Sequence, residues 1–170
     1  MVTHTAYIGL GSNLDTPEKH VCDAIKDIDA CDSMTVVAVS ALYESEPLGS
    51  KDPHHEEQPV YINAVIKLKT RLQPLELLDT LQGIEQQHGR IRSGLRWGPR
   101  TLDLDILLYD ELQHNEPRLT LPHYGMHERN FVLYPLQDIA GSQLEIPALG
   151  KLNELLESCP NSGLKRLNKC

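Results

Sequence analysis

Residues 96–109 read RWGPRTLDLDILLY, from Arg96 to Tyr109, and join a Gly/Pro turn carrying cations to a strand carrying two carboxylates. From Leu102 the residues alternate, with Leu102, Leu104, Ile106 and Leu108 set against Asp103, Asp105, Leu107 and Tyr109. That period of two predicts a half-buried strand with Asp103 and Asp105 on one face. Side chains two apart on a strand are about 7 Å apart. Two carboxylates so placed can share hard cations, Mg²⁺ being the usual one where phosphates complete the ligand set. Arg96 and Arg100 lie just upstream, and the planar guanidinium fork suits bidentate phosphate recognition. Gly98-Pro99 between them supplies one free and one fixed turn position. An isolated Asp-x-Asp near a strand end is commonly a solvated edge. The clustered arginines and the lone Trp97 are what favour a phosphate-and-metal site.

Upstream, residues 89–100 form a loop with four arginines, Arg90, Arg92, Arg96 and Arg100, and glycines at 89, 94 and 98. This composition suits a lid over polyphosphate. Before it, Pro74 opens a helix with Leu77, Leu78, Leu81, Ile84 and His88 at helical spacing, ending before Gly89. Val60 to Lys69 is a strand whose apolar face is Val60, Ile62, Ala64, Ile66 and Leu68, leaving Tyr61, Asn63, Val65 and Lys67 on the other. Tyr61 beside Asn63 offers an aromatic ring and an amide together, which suits a planar heterocycle. From Gly49 to Gln58 the chain is a polar loop without periodicity, and its His54-His55 pair reads as solvated.

Nearer the start, Ala6 to Leu10 is a short strand. Gly9-Leu10-Gly11-Ser12-Asn13-Leu14 lacks the third glycine of a dinucleotide fingerprint and reads as a strand-to-helix turn. Asp15 as N-cap, Pro17 and Glu18 predict a helix start with a capping box, and Val21, Ile25 and Ile28 its apolar face, ending near Cys31. Thr35 to Tyr43 is a second strand. Beyond Tyr109, Asp110 and Glu111 mark a turn, and Leu119 to Tyr124 brings an apolar approach to Pro122-His123-Tyr124. Met126 to Leu136 has no assigned type, because Pro135 is expected to break a helix. Leu149 to Glu157 is expected to be a final amphipathic helix.

With 170 residues, 40% hydrophobic and 24% charged, the chain is expected to be one globular domain over residues 1–170. A formal net charge of −8 argues against nucleic acid or an anionic membrane as partner. No leader-like segment opens the chain and no apolar run reaches membrane-spanning length, so a cytoplasmic protein is expected. A monomer is the expected state. Cys22, Cys31, Cys159 and Cys170 show no metal-ligand spacing and read as free thiols. The order strand, helix, strand, strand, helix, strand predicts an α+β sandwich of the ferredoxin-like kind, with the helices on one face of an antiparallel sheet and the other face open. Parity puts Tyr61, Asn63, Asp103 and Asp105 on that open face.

Several ordered segments together resemble the 6-hydroxymethyl-7,8-dihydropterin pyrophosphokinase family of folate biosynthesis. They are Ile8 to Leu14, Tyr43 to Gly49, Tyr61-Ile62-Asn63-Ala64, Arg96 to Leu107, and Leu121-Pro122-His123 with Arg129 and Phe131. The resemblance implies a ferredoxin-like fold and transfer of the two terminal phosphates of ATP to the pterin's hydroxymethyl oxygen, leaving AMP. It implies two Mg²⁺ ions on Asp103 and Asp105, with Arg90 and Arg100 as the loop arginines that meet the phosphates. It implies that Tyr61 and Phe131 sandwich the pterin, that Asn63, Ser45 and Leu48 read its edge, and that Trp97 covers it. On the ATP side it implies Gln82, Arg92, Ile106, Arg118, His123, Tyr124 and Arg129. Tyr124 stands where many members have proline, and the loop after Gly49 is long. A non-catalytic pterin binder is the alternative, and both aspartates and the arginine loop speak against it. An RNA-binding sheet would need exposed aromatics and a basic surface, against 5% aromatic residues here.

Overall fold

The computed structural model describes residues 2–46, 59–89 and 101–170. Strand β1 (His4–Ser12) leads into helix α1 (Pro17–Asp29), strands β2 (Met34–Val39), β3 (Tyr43–Ser45) and β4 (Tyr61–Thr70), helix α2 (Pro74–Gln87) and strand β5 (Asp103–Tyr109). A hairpin of β6 (His114–Glu116) and β7 (Leu119–Leu121) follows, then a 3-10 turn at Met126–Glu128 and helix α3 (Asn130–Ala140). The chain continues through β8 (Glu145–Ile146), β9 (Gly150–Lys151), helix α4 (Leu152–Glu157) and β10 (Lys165–Arg166). The main sheet runs β10-β3-β4-β1-β5, with β2 also pairing β4, and every pairing in it is antiparallel.

The strand parity sorts the core into two. Ala6, Ile8 and Leu10 of β1, Ile62 to Leu68 at even positions of β4, and Leu104 and Ile106 of β5 pack against Val21, Ala24, Ile25 and Ile28 of α1 and Leu77, Leu78, Leu81 and Ile84 of α2. The opposite face, expected from the order of elements to be open, is open along only part of its length. Tyr7, Val65 and Leu107 are covered there by Val132, Leu133 and Leu136 of α3. Burying each such aliphatic side chain stabilises by about 1.5–3 kcal/mol. Pro135 lies inside α3 rather than breaking it. The ring forgoes only the bond to the Phe131 carbonyl in the first turns, while burial of Val132, Leu133, Pro135 and Leu136 holds the helix on the sheet.

Other local expectations are corrected too. β1 runs on to Ser12, so Gly9 and Gly11 lie within the strand and not in a turn. The turn falls at Asp15 and Thr16, both at positive φ; Thr16 is the N-cap of α1 and makes no side-chain capping bond, so the expected capping box at Asp15 and Glu18 does not form. A capping box does open α2, where the Gln73 N–H donates to Glu76 Oε1 at 3.0 Å. The expected strand 35–43 is split by buried Ser40, whose Oγ accepts the Val65 N–H at 2.9 Å, while its own N–H donates to the Val65 carbonyl at 3.0 Å. Strict alternation in β5 also ends early. A register shift beside Tyr7 and Ile8 puts Leu107 and Leu108 into the α3 core and Tyr109 into the other. The final helix is shorter than the expected span 149–157. Cys22 and Cys170 form a disulfide instead of two thiols, with Cα atoms 5.6 Å apart. Among the described residues no helix is long and apolar enough to cross a membrane.

Candidate active site

α3 covers one end of its sheet face, and the rest of that face carries half-buried Tyr61 and buried Asn63 of β4, half-buried Gly9 and buried Gly11 of β1, and half-buried Asp103 and Asp105 of β5. The register aligns these in rows. Gly11 pairs with Asn63 on one side and Asp103 on the other, and Gly9 with Val65 and Asp105. With strands about 4.8 Å apart, Asn63 and Asp103 stand about 10 Å apart across a strand that contributes no side chain. A Cβ at Gly11 would come 3.4 Å from Asn63 Oδ1 and 3.7 Å from Tyr61 Cδ1, so the glycine keeps the floor between amide and carboxylate low. A flat ligand can therefore lie against the β1 backbone with an aromatic ring at one end and two carboxylates at the other.

The amide end is held from below. Asn63 Nδ2 donates to Ser45 Oγ at 2.8 Å and to the Tyr43 carbonyl at 3.2 Å. Both donors are thus directed at β3, and Oδ1 faces Gly11. β3 is itself braced, since the Tyr43 hydroxyl donates to Asp138 of α3 at 2.9–3.0 Å and accepts from Arg166 Nε of β10 at 3.2 Å. Burial pushes the Tyr43 hydroxyl above its ordinary pKa, so it stays a donor.

At the carboxylate end, Asp103 and Asp105 are half-buried. Two carboxylates on one strand face fit a hard divalent cation that draws its remaining ligands from phosphate and water. Beyond β5, the His123 N–H donates to the Leu107 carbonyl at 3.0 Å and fixes the following segment to the strand. His123 Nδ1 accepts the Gly125 N–H at 3.3 Å, which leaves the ring proton on Nε2. Burial, aided by the Arg129 guanidinium, drops the His123 pKa to about 4, so the ring is neutral at pH 7. His123 stacks on Tyr124 at 4.7 Å, and the Arg129 guanidinium lies 5.5 Å from the Tyr124 ring and 6.0 Å from that of Phe131.

Residues 7–141 match the family model described as 7,8-dihydro-6-hydroxymethylpterin-pyrophosphokinase. The chain belongs to this pyrophosphokinase family. The 2-amino-4-hydroxy-6-hydroxymethyldihydropteridine pyrophosphokinase of Pseudomonas aeruginosa is 50% identical over 161 residues, 95% of this chain and 95% of that protein. Its counterpart in Haemophilus influenzae is 49% identical over 165 residues, 96% of this chain and 98% of that protein. Among solved structures, wild-type Plasmodium falciparum HPPK-DHPS with pterin and p-hydroxybenzoate superposes with a TM-score of 0.73 at 14% identity. That match covers 98% of this chain and 45% of the longer one, and at such identity the likeness is one of fold.

Of the residues that the pyrophosphokinase resemblance singles out, Ser45, Tyr61, Asn63, Asp103 and Asp105 fall on the one sheet face. Phe131 sits in the first turn of α3, and Arg129, His123 and Tyr124 form the stacked cluster beside it. Gln82 is half-buried on α2, and Arg118, in the turn of the β6–β7 hairpin, is paired with Asp79 of α2. The Ile106 side chain is 2% exposed and packs in the α1–α2 core, which leaves the backbone for any ligand contact. Leu48, Arg90, Arg92, Trp97 and Arg100, like the loop with His54 and His55, lie outside the described residues. Sequence reading missed Gly11, whose odd parity in step with Asn63 and Asp103 is the signal that points to it; the space above Gly9 is instead taken by Leu107, with Cδ2 3.4 Å from where a Cβ would stand.

Proposed function

We propose that this chain transfers the pyrophosphoryl group of ATP to the hydroxymethyl oxygen of 6-hydroxymethyl-7,8-dihydropterin, giving the pterin diphosphate and AMP for folate biosynthesis. The observation that carries the reading is the glycine-floored strip of β1 between Tyr61 and Asn63 on one side and Asp103 and Asp105 on the other. It matches a flat heterocycle whose reacting arm points at phosphates, and membership of the pyrophosphokinase family supports the same chemistry.

In this reading Tyr61 and Phe131 stack on the pterin, and Asn63 Oδ1 accepts from its edge, with Ser45 and Leu48 alongside. Asp103 and Asp105 would hold two Mg²⁺ ions, which when bound neutralise the triphosphate and polarise the β-phosphorus. The hydroxymethyl oxygen bonds to that phosphorus, its hydroxyl proton passing to solvent, as the phosphorus loses its bond to the α–β bridging oxygen, and AMP carries that oxygen away. Neutral His123 offers Nε2–H as a donor on the ATP side, with Gln82, Arg92, the Ile106 backbone, Arg118, Tyr124 and Arg129. Arg118 exchanges Asp79 for nucleotide in doing so. Arg90 and Arg100 meet the phosphates and Trp97 covers the site, roles that rest on the family motif.

The order β2/β3, β4, β1, β5, with α1 and α2 crossing one face, supports a ferredoxin-like core in a single domain. A monomer is expected, because one chain supplies both ends of the strip, and the cytoplasm is where the substrates would be met.

The deciding experiment incubates the purified chain with ATP and Mg²⁺, with and without the pterin, and resolves the nucleotides. AMP that appears only with pterin, and no ADP, is the expected result. ADP would point to an ordinary kinase or ATPase, and pterin binding without any nucleotide product would return the reading to a non-catalytic binder.

A further inference from the structure

Among the described residues, β5 ends the main sheet with β1 as its one strand neighbour. An edge strand is a loose place to mount two side chains whose aim must hold within about 0.5 Å. This edge is closed by a carboxylate from the other layer. Glu85 on the buried face of α2 is 2% exposed, and its Oε2 accepts the Leu104 N–H at 2.8 Å. Leu104 lies between the two aspartates. Backbone groups along an antiparallel strand alternate in direction, so with the Leu104 amide aimed outward at Glu85, those of Asp103 and Asp105 face their β1 partners Gly11 and Gly9. A second anchor follows where the Leu107 carbonyl accepts from His123. The stretch that carries Asp105 is thus held at both ends from outside the sheet.

A carboxylate taken out of water is costly unless its hydrogen bonds repay it. We propose that Glu85 is a positioning residue for the divalent-cation site: by accepting the Leu104 N–H it fixes the β5 edge, and with it the separation and aim of Asp103 and Asp105. This rests on the reading of the two aspartates as cation ligands. Glu85 acts in this role through the Leu104 backbone.

Two substitutions separate the bond from the charge. Glu85→Gln keeps an acceptor at the same reach and drops the charge, while Glu85→Asp keeps the charge and withdraws it by one methylene from Leu104. The readouts are Mn²⁺ binding, by electron paramagnetic resonance of the free ion, to protein saturated with a non-hydrolysable ATP analogue, and hydrogen exchange of the Leu104 amide. Circular dichroism on each variant separates a lost bond from a lost fold. Glu85→Gln is expected to bind Mn²⁺ nearly as wild type with the Leu104 amide protected. Glu85→Asp is expected to bind about tenfold or more weakly, the usual cost of losing an outer support of a metal ligand, with faster exchange at Leu104. Wild-type affinity in Glu85→Asp overturns the proposal, and so does an equal loss in Glu85→Gln, which would assign the effect to charge; the Gln arm decides alone if the Asp variant does not fold. Asp105→Ala runs alongside. If it keeps wild-type Mn²⁺ affinity, the cation reading itself fails; if it loses the ion while Glu85→Asp does not, only the role of Glu85 falls.

Discussion

Gly11 does by absence what its neighbours do by contact. It sits in a regular strand, where a β-branched residue suits the backbone, and under the proposed function its smallness keeps room for the pterin beside Asn63. Gly11→Val is expected to leave the urea midpoint unchanged or slightly raised while pterin affinity falls by about a hundredfold, as methyl groups fill the space beside Asn63 Oδ1; an unchanged pterin dissociation constant in calorimetry would show that the strip is not the binding floor. Asp105→Ala should abolish turnover with the circular dichroism spectrum retained, because the half-buried carboxylate lies outside both apolar clusters; full activity would remove the cation role. His123 makes a pH prediction. Its native pKa of about 4 lies below the ordinary 6.5, so between those values the unfolded chain binds a proton that the native one does not, and stability falls as pH is lowered. The gap corresponds to about 3 kcal/mol lost from pH 6.5 to 4. His123→Gln should flatten that part of the stability profile, read as the difference between the two proteins' denaturation curves.

At the scale of elements, α3 decides how much of the sheet remains a site. Its apolar side covers Tyr7, Val65 and Leu107, and its first turn brings Phe131 and the preceding Arg129 to the uncovered end. Leu133→Ala, at a fully buried position, is expected to cost about 2–5 kcal/mol. It should also raise KM for both substrates more than it lowers kcat, because the helix that carries Phe131 loosens; unchanged KM values at the same loss of stability would detach α3 from substrate binding. The strands on this face were legible in sequence, since alternation in 60–69 and 102–106 is a local consequence of the pleat. α3 was not. Pro135 argues against a helix on local grounds, and only the apolar sheet surface beneath it overrides that preference. Ser40 escaped for the same reason, as its bend depends on the Val65 backbone 25 positions away.

The whole molecule is closed by its last residues. β10 pairs with β3, the Leu167 N–H donates to the Leu42 carbonyl at 2.7 Å, and Cys170 is bonded to Cys22 of α1 across 148 positions. A cross-link over so long a loop restricts the unfolded chain and typically stabilises by about 2–4 kcal/mol. Cys170→Ser, or reduction of the wild type, should therefore lower the free energy of unfolding by that amount in urea; equal curves with and without reductant would show that the link contributes nothing. What the sequence by itself determined was the parity of the strands, the helical faces of α1 and α2 and the family motifs, because each is written in spacings of two to four residues or in contiguous segments. Only the tertiary structure decided that α3 shares the site's face, that Gly11 lies between Asn63 and Asp103, that Glu85 accepts the Leu104 N–H and that Cys22 meets Cys170. Those depend on which surfaces the chain brings together, and no local period encodes such meetings.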